Sequence, residues 1–301
     1  MRPDVREGAR HRGTRGVGVA VLVALAASGC SEQVQRGWLP GDSDNEITNH
    51  TGIISSLWNG SWIAALVIGA ITWGLMLWCI AVYRRRSGDS GLPVQLRYNL
   101  PVEMVYTLVP LFIVGVLFFY TQRDQSIIEA RDGQADQHIQ VVGKQWAWDF
   151  NYLDEDVYET SVQVAINGPS PEQEIPVLYL PVGQSIEFRL NARDVNHSFW
   201  VPAFLYKKDL IAGRDNYYQV TPQVEGTYEG RCAELCGEYH SEMLFSVEVV
   251  SPERFAQEMD ALRERGQTGQ LEVELGRVDG NEGSDDGRVP EERGSEDEGD
   301  R

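Results

Sequence analysis

Cysteine is scarce in this chain: Cys30, Cys79, Cys232 and Cys236 are the only four among 301 residues. None falls in a Cys-x2-Cys-His spacing, so no c-type haem is covalently attached. No other haem ligands or oxygen-reducing residues are evident. Basic residues are outnumbered, with 26 Lys and Arg against 45 Asp and Glu, giving a formal net charge of −19. A surface of that sign is repelled by phosphate backbones and argues against nucleic-acid binding. Only two uncharged runs approach the length that crosses a bilayer, both within the first 120 residues. The length suits one domain plus membrane segments.

The most informative stretch is Cys232-Ala233-Glu234-Leu235-Cys236-Gly237-Glu238-Tyr239-His240-Ser241-Glu242-Met243. Its spacing is Cys-x3-Cys-x3-His-x2-Met, and His197 lies 35 residues before Cys232 in an aromatic segment. Thiols, imidazoles and a thioether are soft or borderline donors that suit copper better than calcium or magnesium. The set exceeds what one blue-copper ion takes, His2Cys with a weak axial Met. Two thiolates can bridge two copper ions, each capped by one imidazole. The competing reading is a Cys232–Cys236 disulfide in an exported domain, against which stand the His and Met at fixed spacing.

The N-terminus reads as a signal peptide: Arg2, Arg6, Arg10, Arg12 and Arg15, an apolar stretch from Val17 to Ala27, then Ser28-Gly29-Cys30. Its roughly 11 apolar residues are too few to span a bilayer, which takes about 20. Ala27-Ser28-Gly29-Cys30 resembles a bacterial lipobox, which implies lipidation of Cys30; cleavage near Gly29 leaving a free Cys30 is the alternative. Ile63 to Val82 is uncharged and flanked by Trp58, Trp62 and Tyr83, the pattern of a spanning helix with interfacial aromatics. Arg84, Arg85, Arg86 and Arg97 follow, so the loop is cytoplasmic. Met104 to Tyr120 returns outside, with Pro110 expected to kink it. Cys79 reads as a small packing residue without chemistry. Glu103 opens the second helix at its cytoplasmic end. A carboxylate in a first turn is favoured by the helix dipole, and an ionisable group at a membrane boundary is also a functional candidate.

From Gln137 the pattern changes to short strands. Ser185-Ile186-Glu187-Phe188-Arg189-Leu190 alternates polar and apolar, as do the positions around Met243, Phe245, Val247 and Val249. Punctuation by proline and glycine argues for a sandwich or barrel. Trp146 and Trp148 alternate on what reads as one strand, so both rings can face the core. The expected divisions are 1–29 signal peptide, 30–57 external segment, 58–83 and 101–122 membrane helices around a cytoplasmic loop 84–100, 123–270 external domain and 271–301 tail. The tail holds 12 acids and 4 bases and is expected to be disordered.

The run Cys-x-Glu-x-Cys-Gly-x-x-His-x-x-Met resembles the copper loop of subunit II of haem–copper cytochrome c oxidases. The His197 segment is similar to that family's upstream ligand loop, and Gly143-Lys144-Gln145-Trp146-Ala147-Trp148 resembles its aromatic strand. The resemblance implies a two-helix transmembrane hairpin followed by an all-β cupredoxin-like Greek-key sandwich. It implies a binuclear copper centre bridged by Cys232 and Cys236, with His197 and His240 as terminal imidazoles, Met243 as a weak thioether and Glu234 binding through its backbone carbonyl. The Glu234 carboxylate becomes a candidate magnesium ligand, with a solvated loop carboxylate as the plainer alternative. Trp146 becomes the place where electrons arrive from cytochrome c or a membrane-bound c-type cytochrome. Glu103, in a segment where Tyr106 replaces the family's tryptophan, becomes the mouth of a proton path. Tyr206 to Arg214 resembles a segment facing the catalytic subunit, with Ala212 where the family has proline.

Implied partners are oxidase subunit I, further oxidase subunits and membrane lipid. The implied location is the bacterial cell membrane, with the copper domain on the external side. Residues 121 to 270 hold 25 acidic and 12 basic groups, a charge that would steer a basic cytochrome. Two other functions remain in view at this point. A structural subunit of a quinol oxidase lacks the copper ligands present here, and a copper assembly or delivery module needs neither Trp146 nor Glu103.

Overall fold

The computed structural model describes residues 31–40, 46–85, 87–88, 91, 95–162 and 175–273. Cys30, the signal-peptide stretch and residues 274–301 lie outside them. A single helical turn, α1 (Glu32–Gln35), precedes two long helices, α2 (Thr51–Val82) and α3 (Leu100–Ile128). The start of α3 follows from its sequence. The Asn99 side chain accepts from Val102 N, Pro101 occupies the first turn, and Glu103 Oε1 accepts from Asn99 N at 2.8 Å. This reciprocal cap satisfies donors the helix leaves orphaned. Both helices are longer than their apolar runs: α2 starts at Thr51 rather than 58, and α3 runs to Ile128 rather than 122, continuing through Pro110. Their apolar side chains are exposed along most of the length, as helices that face lipid or other subunits must be. Cys79 is on that exposed surface, which corrects its reading as a packed residue.

Ten strands follow. One sheet has the order β3-β2-β1-β5-β8, with β1 (Gln137–Lys144), β2 (Ala147–Tyr152), β3 (Val157–Thr160), β5 (Ile186–Ala192) and β8 (Asn216–Val220). The other has β4-β10-β9-β6-β7, with β4 (Val177–Pro181), β6 (His197–Val201), β7 (Tyr206–Leu210), β9 (Gly226–Cys232) and β10 (Leu244–Val250). β1 pairs with β5 and β4 with β10 in parallel; the other pairings are antiparallel. Alternate residues of facing strands fill the space between the sheets. Trp148, Phe150, Phe188, Phe199 and Phe245 make one aromatic cluster, with Phe199 stacked on Phe245 at 5.0 Å. Edge and offset ring pairs of this kind add roughly 0.5–1.5 kcal/mol each beyond burial.

A helix that the strand reading of 137–270 did not anticipate, α4 (Pro252–Glu264), closes the domain. Ser251 caps it by accepting from Arg254 N, and Phe255, Met259 and Leu262 are its buried face. Their spacing of i, i+4, i+7 was the available signal.

The outer ends of the hairpin are fastened to the sandwich. Before α2, Ile47 lies in the core, Asn49 exchanges hydrogen bonds with Thr221, and His50 Nε2 lies 3.0 Å from the Gln219 carbonyl. After α3, Glu129 accepts from Lys208 Nζ at 2.5 Å and from the Tyr206 hydroxyl. Lys208 and Tyr206, expected to face another subunit, are thus engaged within the chain.

Candidate metal centre

His197 begins β6 and Cys232 ends β9, neighbouring strands paired through Phe199 and Cys232. Cys236 sits in the loop beyond, His240 in a 3-10 turn (His240–Glu242), and Met243 directly before β10. The loop therefore leaves one strand of a hairpin and returns into the next, which pins both its ends. His197 Nδ1 is 3.8 Å from Cys232 Sγ, and the two sulfurs are 3.8 Å apart. Cys236 Sγ is 3.4 Å from His240 Nδ1 and 3.9 Å from Met243 Sδ. Each imidazole thus meets its own thiol, and the thiols meet each other. Donor atoms of His197, Cys232 and Cys236 all lie within 4.8 Å of one another. Both cysteines are free, far beyond the ~2.05 Å of a disulfide. The Glu234 carbonyl lies 3.3 Å from Cys232 Sγ, while its residue is exposed.

Electrostatics favour a cation among these donors. Burial raises the Cys232 thiol, but contacts from His197 and the Glu234 and Ser198 backbone outweigh it and leave it below its ordinary value. Cys236 is pushed up, first by burial and then by the neighbouring Cys232 charge. Two buried thiolates this close repel unless positive charge lies between them. The donor set therefore fits a soft metal ion, and copper in particular.

The surroundings hold the donors in place. Asp194 Oδ1 lies 2.8 Å from His197 Nε2, leaving Nδ1 to face the sulfur. Gln145 N also donates to Asp194 at 2.7 Å. Burial alone would raise the Asp194 carboxyl, yet these hydrogen bonds hold it below its ordinary value. A Cβ on Gly143 would come within 2.9 Å of the His197 ring, so that ring lies directly on the β1 backbone. Asp194 had no role in the sequence reading; its i, i+3 spacing to His197 was the available sign.

Trp146 corrects an expectation. It is not on a strand with Trp148 but in the Gln145-Trp146 turn between β1 and β2. Trp148 alone is core, fully buried and donating to Met243 O at 3.3 Å. Half-buried Trp146 donates from Nε1 to Cys236 O at 3.2 Å, and Gln145 Nε2 donates to the same carbonyl at 2.7 Å. Its ring meets Tyr239 edge-on at 4.9 Å. Gly237 has φ +127°, and a Cβ there would lie 2.8 Å from the Trp146 ring. Glu103 is remote from this group, in the cap of α3.

Soft donors at one end of a two-sheet sandwich, fastened to a helical hairpin, define a membrane-anchored copper protein with a cupredoxin-like domain. Residues 137–250 match the family model described as cytochrome c oxidase subunit II, periplasmic domain. The chain is 42% identical over 281 residues to a probable cytochrome c oxidase subunit 2 of Streptomyces coelicolor, covering 83% of this chain and 86% of that one. It is 33% identical over 310 residues to cytochrome c oxidase subunit 2 of Mycobacterium tuberculosis, covering 84% of each. A solved structure of the periplasmic domain of subunit II of Bradyrhizobium japonicum cytochrome oxidase is 31% identical, spans 44% of this chain and 96% of that one, and superposes with TM-score 0.39. The chain belongs to the cytochrome c oxidase subunit II family.

Proposed function

We propose that this chain is the electron-receiving subunit of a respiratory cytochrome c oxidase in a bacterial cell membrane. In this reading a c-type cytochrome delivers electrons to a binuclear copper centre, which passes them to subunit I, where oxygen is reduced and protons are moved. The observation that carries it is the unbroken line of contacts His197, Cys232, Cys236 and His240, in which two adjacent thiols are each met by one imidazole. Cys232 and Cys236 would bridge the metals, His197 and His240 would cap them, and Met243 and the Glu234 carbonyl would be weaker ligands. When bound, the copper pair supplies a one-electron site whose charge is spread over two metals.

The chain's own residues do the rest. Strands β6, β9 and β10 hold the donors nearly fixed, so a change of charge moves little. Asp194 orients His197 by its Nε2 contact. Trp146 offers a half-exposed indole joined by one hydrogen bond to the backbone of Cys236, which supports it as the place where electrons arrive. The exposed Glu234 carboxylate is available to a magnesium ion at the boundary with subunit I, since hard cations take oxygen ligands. Glu103 stays at the cytoplasmic mouth of α3 as the proposed proton acceptor. Cys30 is the proposed lipid attachment point, and the exposed helix faces are where lipid or partner subunits would pack.

The test is an EPR spectrum of the detergent-solubilised full chain, purified reduced and then loaded with copper. Hyperfine structure from one electron shared over two coppers is expected. A single-copper signal would overturn the binuclear centre and favour a copper-delivery module; no copper uptake would favour a structural subunit.

A further inference from the structure

Where the two long helices meet the sandwich, their ends enclose a cavity of about 340 Å³, within the size range of small-ligand sites. Its walls include Glu46 before α2, Gly52 and Ser56 of the first turns of α2, and Arg123, Asp124 and Ile127 of the last turns of α3. Asp124 is the residue here that needs an account. Its side chain is only 5% exposed, on a helix whose apolar side chains are otherwise open. Arg123 satisfies one of its oxygens, Oδ1, from Nε at 2.8 Å and Nη2 at 2.7 Å. Among the described residues no hydrogen bond reaches Oδ2. A buried carboxylate oxygen without a donor is costly, and the cavity that Asp124 lines is the place for one.

The charges around the cavity are ordered. The Arg123 side chain is 54% exposed, and its guanidinium carbon lies 5.1 Å from the centre of the Tyr120 ring. The cation therefore stands between the Asp124 carboxylate and the aromatic residue that closes the apolar run of α3. Glu46 adds a second carboxylate to the wall. A Cβ on Gly52 would come within 2.6 Å of Glu46 Oε1, so the bare glycine lets that carboxylate lie over the first turn of α2. Two carboxylates and one guanidinium leave the site with an excess of negative charge and one half-exposed cation at its lower edge.

We propose that this cavity binds the headgroup of an aminophospholipid, with its phosphate on Arg123 and its ammonium on Asp124 Oδ2 and the Glu46 carboxylate. The inference rests on the reading above that the exposed helix faces meet lipid. Three features choose this class. In such a lipid the phosphate is next to the acyl chains and the ammonium lies beyond it, the order in which Arg123 and Asp124 follow Tyr120. At 1.5 Å per residue, Arg123 and Asp124 lie about 5–6 Å past Tyr120 along α3, inside a headgroup layer of about 5–8 Å on each side of the hydrocarbon core. An ammonium brings three N–H donors to the unsatisfied oxygen. A quaternary choline has none, and the two carboxylates repel a headgroup of net negative charge.

The test is native mass spectrometry of the detergent-solubilised, delipidated full chain. It is offered dioleoyl phosphatidylethanolamine, phosphatidylcholine or phosphatidylglycerol at equal concentrations. One copy of the ethanolamine lipid should be retained about tenfold over the other two, the gain expected of one hydrogen bond to a charged group. Asp124→Asn should bring its retention down to that of the choline lipid. Glu46→Gln, at an exposed position, should lower the preference in the same direction without touching a buried group. Arg123→Gln should weaken the ethanolamine and choline lipids alike. Equal retention of the three lipids, a preference for phosphatidylglycerol, or an ethanolamine preference that survives both carboxylate changes would overturn the headgroup site. A chain that retains no lipid of any class and does not float with vesicles of the same three lipids would overturn the lipid-facing reading itself.

Discussion

At the residue scale the centre depends on groups that bind no metal. Asp194 fixes which nitrogen of His197 faces Cys232, because its carboxylate occupies Nε2. Asp194→Ala should therefore weaken copper binding by about 10- to 100-fold, measured by competition with a copper chelator, and should perturb the copper spectrum. Trp146→Phe removes the hydrogen bond to Cys236 O while keeping a ring. It should slow oxidation of cytochrome c and leave the copper spectrum unchanged; normal oxidation would remove Trp146 from the electron path. Gly237 is needed twice over, for its φ of +127° and for its closeness to the Trp146 ring. Gly237→Ala should displace Trp146, seen as a shift in tryptophan fluorescence, at a cost of at least 1 kcal/mol.

At the element scale the loop is rigid because strands hold it, and the strands are in turn closed by α4. Phe255 reaches Tyr152 at 5.9 Å as part of a face that covers the end of the core. Phe255→Ala should destabilise the domain by about 3–5 kcal/mol, read as a lower guanidinium midpoint for fluorescence of the solubilised chain. The join between α3 and β7 has a pH signature. Burial alone would raise the Glu129 carboxyl, but Lys208 and Tyr206 hold it below its ordinary value. A depressed folded value means the tie is present at neutral pH and is lost as pH falls through the carboxylate range. Amide exchange at β7 should rise there in the native chain, and Glu129→Gln should abolish the step.

At the scale of the whole molecule, two fastenings turn a hairpin and a sandwich into one body, through Asn49 and His50 at one helix and Glu129 at the other. The candidate metal site at one end of the domain is thus held in a set position relative to the two apolar helices. At the end of the hairpin away from the sandwich, Glu103 is tied to Asn99 N as a helix cap, and capping alone would explain it. Glu103→Gln in the assembled oxidase separates the roles. Glutamine preserves the acceptor oxygen, so helix content should hold, while a proton-path residue would show slowed turnover.

Much of this was legible in the linear chain, because its signals are local. Soft donors at Cys-x3-Cys-x3-His-x2-Met spacing lie on one loop and must come together wherever that loop sits. Uncharged runs set the two long apolar helices, since the cost of burying charge in lipid does not depend on the fold. Alternation gave β5 and β10, because a sheet buried on one face imposes period two. Tertiary structure decided the rest. Trp146 and Trp148 are two residues apart and alike in type, yet one packs edge-on against Phe199 and Phe245 in the core and the other is turned onto the Cys236 carbonyl by a chain reversal that alternation does not encode. The helices outrun their apolar stretches because their ends are held by the sandwich rather than by lipid. The tail's first residues, expected from sequence to be disordered, are docked: Leu271 exchanges hydrogen bonds with the Asn151 side chain, and Glu272 O accepts from Arg193. Asn151 belongs to an amide row assembled from β2, β1 and β5, where it donates to Gln140 and Gln140 to Asn191, and no local pattern in residues 271–273 records a surface built from three distant strands.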